Sequence, residues 1–194
     1  MSRPHVIKVG GSLLTWPALT DVLPRWLAHA AGPAPLLLPG GGPFADALRN
    51  LDALFGLPPQ TAHRLALAAM NLTGEVVHEL LPRSTLVTEP TQLVPAHRQG
   101  LWPLVQASSW LGDEHGDIPA SWDVTSDSLA VVLAQRVEAE RLTLLKSRGV
   151  EPGTLPADWS RAGLVDRWFP QALARVPGLQ VELVNLRAWQ PASP

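Results

Sequence analysis

The sequence predicts an α/β protein, a three-layer α/β/α sandwich around a mainly parallel central sheet. Three observations lead there. Short, nearly continuous apolar runs alternate with longer stretches of helical periodicity, the pattern of strands covered on both faces. Two of those runs end in glycine-rich turns, VGGS and PGGGP, each followed by a helical pattern. The length of 194 residues suits one sizeable core rather than two, so residues 1–194 are read as a single domain.

Taken in order, HVIKV at 5–9 is the first strand, with Lys8 inside an apolar run. Residues 17–30, after a capping Thr15, predict an amphipathic helix, which puts Gly10 and Gly11 at a strand-to-helix crossover. APLLLP is the second strand, and Gly40, Gly41 and Gly42 follow it. Pro43 then suits the first turn of the next helix. Residues 58–81 predict one long helix that Pro82 ends. Runs at 84–88, 101–105, 141–145 and 180–186 supply the remaining strands. The polar segment 106–121 reads as a loop crossing the edge of a site, and the tail after Arg187 as a terminal extension without structure. Of the eight tryptophans, which stand beside no tyrosine, Trp26, Trp110, Trp159 and Trp168 are expected to fill core or subunit contacts.

Composition narrows the function. A net charge of −2 without a basic run favours a small-molecule ligand over nucleic acid or an anionic membrane. No apolar run approaches the roughly 20 residues that span a bilayer, and no signal peptide is visible. The absence of cysteine excludes disulfides, thiolate catalysis and zinc ribbons, and suits a cytoplasmic setting. The six histidines form no metal set: His63 and His78 share one predicted helix, far apart along it. Neither glycine turn is a Walker A loop or a dinucleotide fingerprint, and no serine has the setting of a hydrolase elbow.

Four stretches can carry chemistry. In KVGGS, residues without Cβ let backbone N–H groups approach an anion, and Lys8 adds a full charge. The plainer alternative is a tight turn with Lys8 reaching solvent. PGGGP is a second anion loop, or a sharp left-handed turn with no ligand. In SWDVTSDSLAVVLAQRV, Asp123, Thr125 and Ser126 suit helix caps, while Asp127 in the first turn can align a lysine and stay deprotonated. In LTLLKSRGV, Lys146 at a strand end can reach nucleotide phosphates or simply be solvated, and Gly149 adds flexibility.

Together and in this order, IKVGGSLL, LLPGGGPFAD, WDVTSDSLAVVLA and LLKSRGV resemble the amino acid kinase superfamily over about residues 5–150. The resemblance implies an ATP-dependent phosphotransferase using Mg²⁺, in which Lys8, Asp127 and Lys146 are catalytic and Asp127 organises the two lysines. ATP contacts are implied at Gly10, Gly11, Ser12, Lys146 and Gly149, and acceptor contacts at Gly40, Gly41, Gly42 and Asp123. Lys146-Ser147-Arg148-Gly149 departs from the Asp-Xaa-Asp-Gly type of sequence that many members carry near the nucleotide. WDVTSDS and GLVDRWFP look most like the small branch that phosphorylates an aminomethyl-furanmethyl phosphate to its diphosphate in methanofuran biosynthesis. An ammonium on such an acceptor would need an acidic partner, for which Asp123, Asp166 and the Asp113-Glu114 pair are candidates, with Trp122 or Trp168 against the ring. A kinase for isopentenyl phosphate or a nucleoside monophosphate keeps the fold and changes the acceptor. A non-catalytic nucleotide-binding subunit keeps the cradle without the transfer. Homodimers are common in the family, so a homodimer or higher homo-oligomer is expected.

Overall fold

The computed structural model describes residues 3–112, 117–151 and 153–191. Asp113 and Glu114, two of the acidic candidates, and tail residues 192–194 lie outside them. Six strands, β1 (His5–Val9), β2 (Pro35–Pro39), β3 (Ser84–Val87), β4 (Trp102–Val105), β5 (Arg141–Lys146) and β6 (Gln180–Asn185), form one sheet in the order β3-β4-β2-β1-β5-β6. Every pairing is parallel. Helices α1 (Leu19–Ala30), α2 (Gly42–Phe55), α3 (Pro59–Leu80), α4 (Leu93–Arg98), α5 (Ala107–Leu111), α6 (Ser126–Arg136) and α7 (Phe169–Ala174) complete the described chain.

Strand alternation sends neighbouring side chains to opposite faces. Ile7 and Val9 join Leu19, Leu23, Trp26 and Leu27 of α1 in one core layer, whereas Val6 joins Leu129, Leu133 and Phe169 of α6 and α7 in the other. Each such fully buried leucine contributes about 1.5–3 kcal/mol. α6 is buried on all sides from Asp127 to Ala134, which explains its apolar run: it lies across the middle of the sheet, touching β1, β2 and β5. Trp26, Trp110 and Trp159 are buried, and Trp168 packs against the α6 layer, as the composition suggested.

Three expectations are corrected. The first glycine turn does not lead directly into a helix: residues Gly11–Thr15 form a 3₁₀ turn, and α1 starts only at Leu19. Trp16 precedes Pro17 and is held extended, which breaks the path, and the Thr15 hydroxyl donates to the Ser12 carbonyl instead of capping α1. Segment 106–121 is not all loop. Ala107, Trp110 and Leu111 recur at helical spacing, bury themselves as α5, and Trp110 Nε1 donates to the Val87 carbonyl at 3.0 Å. The tail is also committed as far as Trp189, which packs on the α1 layer with its ring 5.9 Å from that of His29. Among the described residues, no helix is long and apolar enough to cross a membrane.

Candidate active site

The chain leaves β1 toward β2 and leaves β5 toward β6, in opposite directions along the sheet. The crevice outside the carboxyl ends of β1 and β5 is where a parallel sheet accepts ligands. A cleft of about 300 Å³ opens there, lined by Lys8, Gly11, Gly42, Asp127 and Lys146 among others. Both glycine turns reach it, and so do the first turns of α2 and α6.

At its floor three charges meet. Lys8 Nζ lies 2.9 Å from Asp127 Oδ1, and Lys146 Nζ lies 2.6 Å from Asp127 Oδ2. The side chains of Lys8, Asp127 and Lys146 are 4%, 6% and 16% exposed, so Lys8 does not reach solvent. Burial alone would raise the Asp127 pKa, but the two ammonium groups outweigh it and hold the carboxyl below its ordinary value. Burial and repulsion from Lys8 push Lys146 down to about 8, although Asp127 and Asp166 both favour its charged form. The arrangement is a net positive pocket floor in which one carboxylate fixes two lysines.

The glycines have two separate roles. A Cβ on Gly11 would stand 2.5 Å from the Gly42 nitrogen, and Gly42 itself has φ +52°, so the two turns touch backbone to backbone whatever ligand is bound. The amides then divide. Gly10 N–H donates to the Leu145 carbonyl at 2.9 Å and Gly40 N–H to the Val9 carbonyl at 2.8 Å, extending the sheet. Those of Gly11, Ser12, Gly41 and Gly42 have no backbone acceptor among the described residues. Gly11, Ser12, Gly41 and Gly42 also line the cleft, where free amides and the positive end of the 14-residue α2 suit an anion. Gly10 contributes to the wall but not its N–H, and Gly40 is buried behind it. Gly149 lies outside the cleft, where a Cβ would meet Asn185 of β6.

Asp123 also stands outside this cleft: it is exposed, 3.6 Å from Arg167, and lines a second cavity of about 310 Å³. Trp122 lines both. Trp168 lines neither of the two and carries Arg175 over its ring at 5.0 Å. Asp166 has a structural task. Its Oδ2 accepts from Thr125 N–H at 2.9 Å, Thr125 Oγ1 at 2.8 Å and Ser128 N–H at 3.0 Å, and Oδ1 accepts from Ser128 Oγ. It therefore caps α6 from a distant loop, a task that the sequence assigned to Asp123, Thr125 or Ser126; Thr125 occupies the cap position, but its hydroxyl bonds Asp166 and not an N–H of the helix.

Sequence reasoning missed Asp46, Arg49 and His63, all of which line the cleft. A signal existed: Asp46, Arg49 and Asp52 recur every third residue in ADALRNLDALF, a spacing that gathers them on one side of the helix that starts at the glycine turn. Arg49 bonds Asp46 at 3.3 Å and lies over the Trp122 ring at 4.7 Å. Among the described residues, no group of three or more histidines, aspartates or glutamates is placed to hold a metal ion.

Residues 4–148 match the family model of the amino acid kinase family. A [5-(aminomethyl)furan-3-yl]methyl phosphate kinase from Methanocaldococcus jannaschii is 29% identical over 145 residues, which is 72% of this chain and 64% of that protein. The chain thus matches less than two thirds of that relative's length. Among solved structures, a uridylate kinase from Archaeoglobus fulgidus superposes with a TM-score of 0.64 at 12% identity, covering 95% of this chain and 92% of its own. A UMP kinase from Bacillus anthracis gives 0.66 at 14% identity, with 98% and 89% covered. At such identities the likeness is one of fold.

Proposed function

Because the chain belongs to the amino acid kinase family, we propose that it transfers the γ-phosphoryl group of ATP to a phosphate group on a small acceptor. The observation that carries this reading is the Lys8–Asp127–Lys146 array at the ends of adjacent strands, facing the free amides of two glycine turns. An acceptor phosphate oxygen forms a bond to the γ-phosphorus while the bond from that phosphorus to the bridging oxygen breaks, and ADP leaves. The attacking oxygen is already anionic at neutral pH, so positioning and charge stabilisation do most of the work.

In this reading Lys8 and Lys146 stabilise charge on the equatorial and bridging oxygens, and the Gly11 and Ser12 amides hold the donor phosphates. Gly41 and Gly42, at the start of α2, hold the acceptor phosphate. Mg²⁺ supplies further neutralisation of phosphate oxygens when bound. The donor set suits an ion carried on ATP's own oxygens, since both lysines already engage Asp127 and Asp46 pairs with Arg49.

For the acceptor we propose [5-(aminomethyl)furan-3-yl]methyl phosphate, giving the diphosphate in methanofuran-type biosynthesis. Its support is the name of the Methanocaldococcus jannaschii relative together with an anion site at Gly41 and Gly42. The test is an acceptor panel with ATP and Mg²⁺, followed by mass spectrometry and ADP release. A higher kcat/KM with isopentenyl phosphate or UMP overturns the acceptor and leaves the kinase. No ADP release with any acceptor overturns the kinase in favour of a nucleotide-binding subunit.

A homo-oligomer in the cytoplasm belongs to the same proposal. Phe44, Leu51, Leu54 and Phe55 of α2 are exposed, Leu54 and Phe55 by about three quarters, and a second copy of the chain would cover them. Sedimentation that gives a monomer at micromolar concentration overturns it.

A further inference from the structure

The second cavity opens beside the first, and the two share His63, Ala66, Trp122 and Val124 as walls. Their charge balances differ. The first holds Lys8, Lys146 and Arg49 against Asp46 and Asp127, a net positive lining, whereas Asp52 and Asp123 are the charged groups lining the second. A ligand that spans both therefore meets an excess of cations at one end and only carboxylates as charged groups at the other.

Of the two carboxylates, Asp52 is the better placed. Asp123 is exposed and already faces Arg167 at 3.6 Å. Asp52 is half-buried one helical turn beyond Arg49, on the side of α2 that leads away from the glycine turn. Its Oδ1 accepts from the Leu57 N–H at 2.8 Å and its Oδ2 from Trp122 Nε1 at 2.6 Å. Those two neutral donors fix the carboxylate but do not neutralise it, and each oxygen keeps a second lone pair. No cation is paired with it among the described residues. The Trp122 indole that it anchors forms the wall common to both cavities, so charge and ring are held as one unit.

We propose that Asp52 is the specificity-determining residue of the acceptor site, reading a primary ammonium carried at the end of the acceptor opposite its phosphate, with the ring between lying along Trp122. The proposal rests on the phosphate-acceptor reading above and deepens it. It also replaces Asp123, Asp166 and the Asp113-Glu114 pair as the expected partner of that ammonium.

Calorimetric binding without ATP tests it, using the aminomethyl furan phosphate and an isosteric hydroxymethyl furan phosphate. Wild type should bind the amine about tenfold or more tightly, the gain expected of a charge-assisted bond at a half-buried carboxylate. Asp52→Asn should bring the two affinities to within about twofold, and Asp52→Glu should restore most of the preference. A merely structural Asp52 would weaken both ligands in parallel and leave their ratio, which overturns the proposal. Equal wild-type affinities overturn it without any variant having to fold. The amine preference read by binding and ADP release read by turnover are separate. If the preference is present without turnover, the kinase reading falls and the ammonium site stands; turnover without preference does the reverse.

Discussion

Replacing Asp127 with asparagine removes the carboxylate that holds the buried Lys8 and the part-buried Lys146, and its cost can be worked from the site. Deleting one partner of a buried ion pair costs about 3–5 kcal/mol. Lys146 has an escape. With a pKa of about 8 it is still protonated at pH 7, and giving up that proton costs about 1.4 kcal/mol per unit between pKa and pH. Its share of the loss is therefore capped near that figure, and Lys8, at 4% exposure, bears the rest. The expected destabilisation is at the low end, about 3 kcal/mol, or about 6–12 °C in Tm for a chain of this size. The loss should shrink as pH rises past about 8, because wild-type Lys146 then discharges too and Asp127 has less to attract. Turnover per folded molecule should fall about 10²–10³-fold if the two lysines act as proposed, since both then lose their alignment toward the transferring group. The assays are thermal melts from pH 6.5 to 9.5 and ADP release normalised to folded protein. An unchanged Tm refutes the buried three-charge array; a lowered Tm with turnover per folded molecule retained makes Asp127 a structural residue only.

Lys146, whose pKa burial and Lys8 push down to about 8, should give kcat/KM for ATP a falling alkaline limb near that pH, and bound phosphates should move the limb upward in kcat. Lys146→Arg should abolish the limb, and a limb that survives assigns it to another group. For stability the same shift has the opposite sign: a lysine whose folded pKa lies below its unfolded 10.5 contributes increasing stability as pH rises from about 8 to 10.5, before other groups are counted. Gly11→Ala should lower stability by about 2–4 kcal/mol, because its Cβ would meet the backbone of Gly42 rather than a side chain that can move; a Tm within about 2 °C of wild type contradicts that packing. Asp166→Ala should cost about 1–2 kcal/mol in chemical denaturation by uncapping α6, and no loss there would return the cap to Thr125.

How much of this was legible beforehand follows from range. The six strands and their order along the chain were readable because alternation and apolar runs are written within a few residues, and β1 has the bounds read from HVIKV. The motifs that carry the site were readable for the same reason, each being a strand end or a first helical turn. Short helices were not: α4, α5 and α7 span five or six residues, too few for periodicity to stand out from surrounding prolines and polar residues. What only the tertiary structure decided is who meets whom. The sequence put a carboxylate and two lysines in separate motifs, and the parallel register of β1 with β5, with α6 across them, brought all three charges within 3 Å contacts. It could not tell that Asp166 caps a helix that starts 40 residues earlier, or that Gly10 and Gly40 spend their amides on the sheet while their neighbours do not. It also gave no reason to pick Asp52 over Asp123. Local pattern depends on a residue's own neighbours, whereas a partner is set by where the whole chain returns, and in a crossover-built sheet that return lies many residues away.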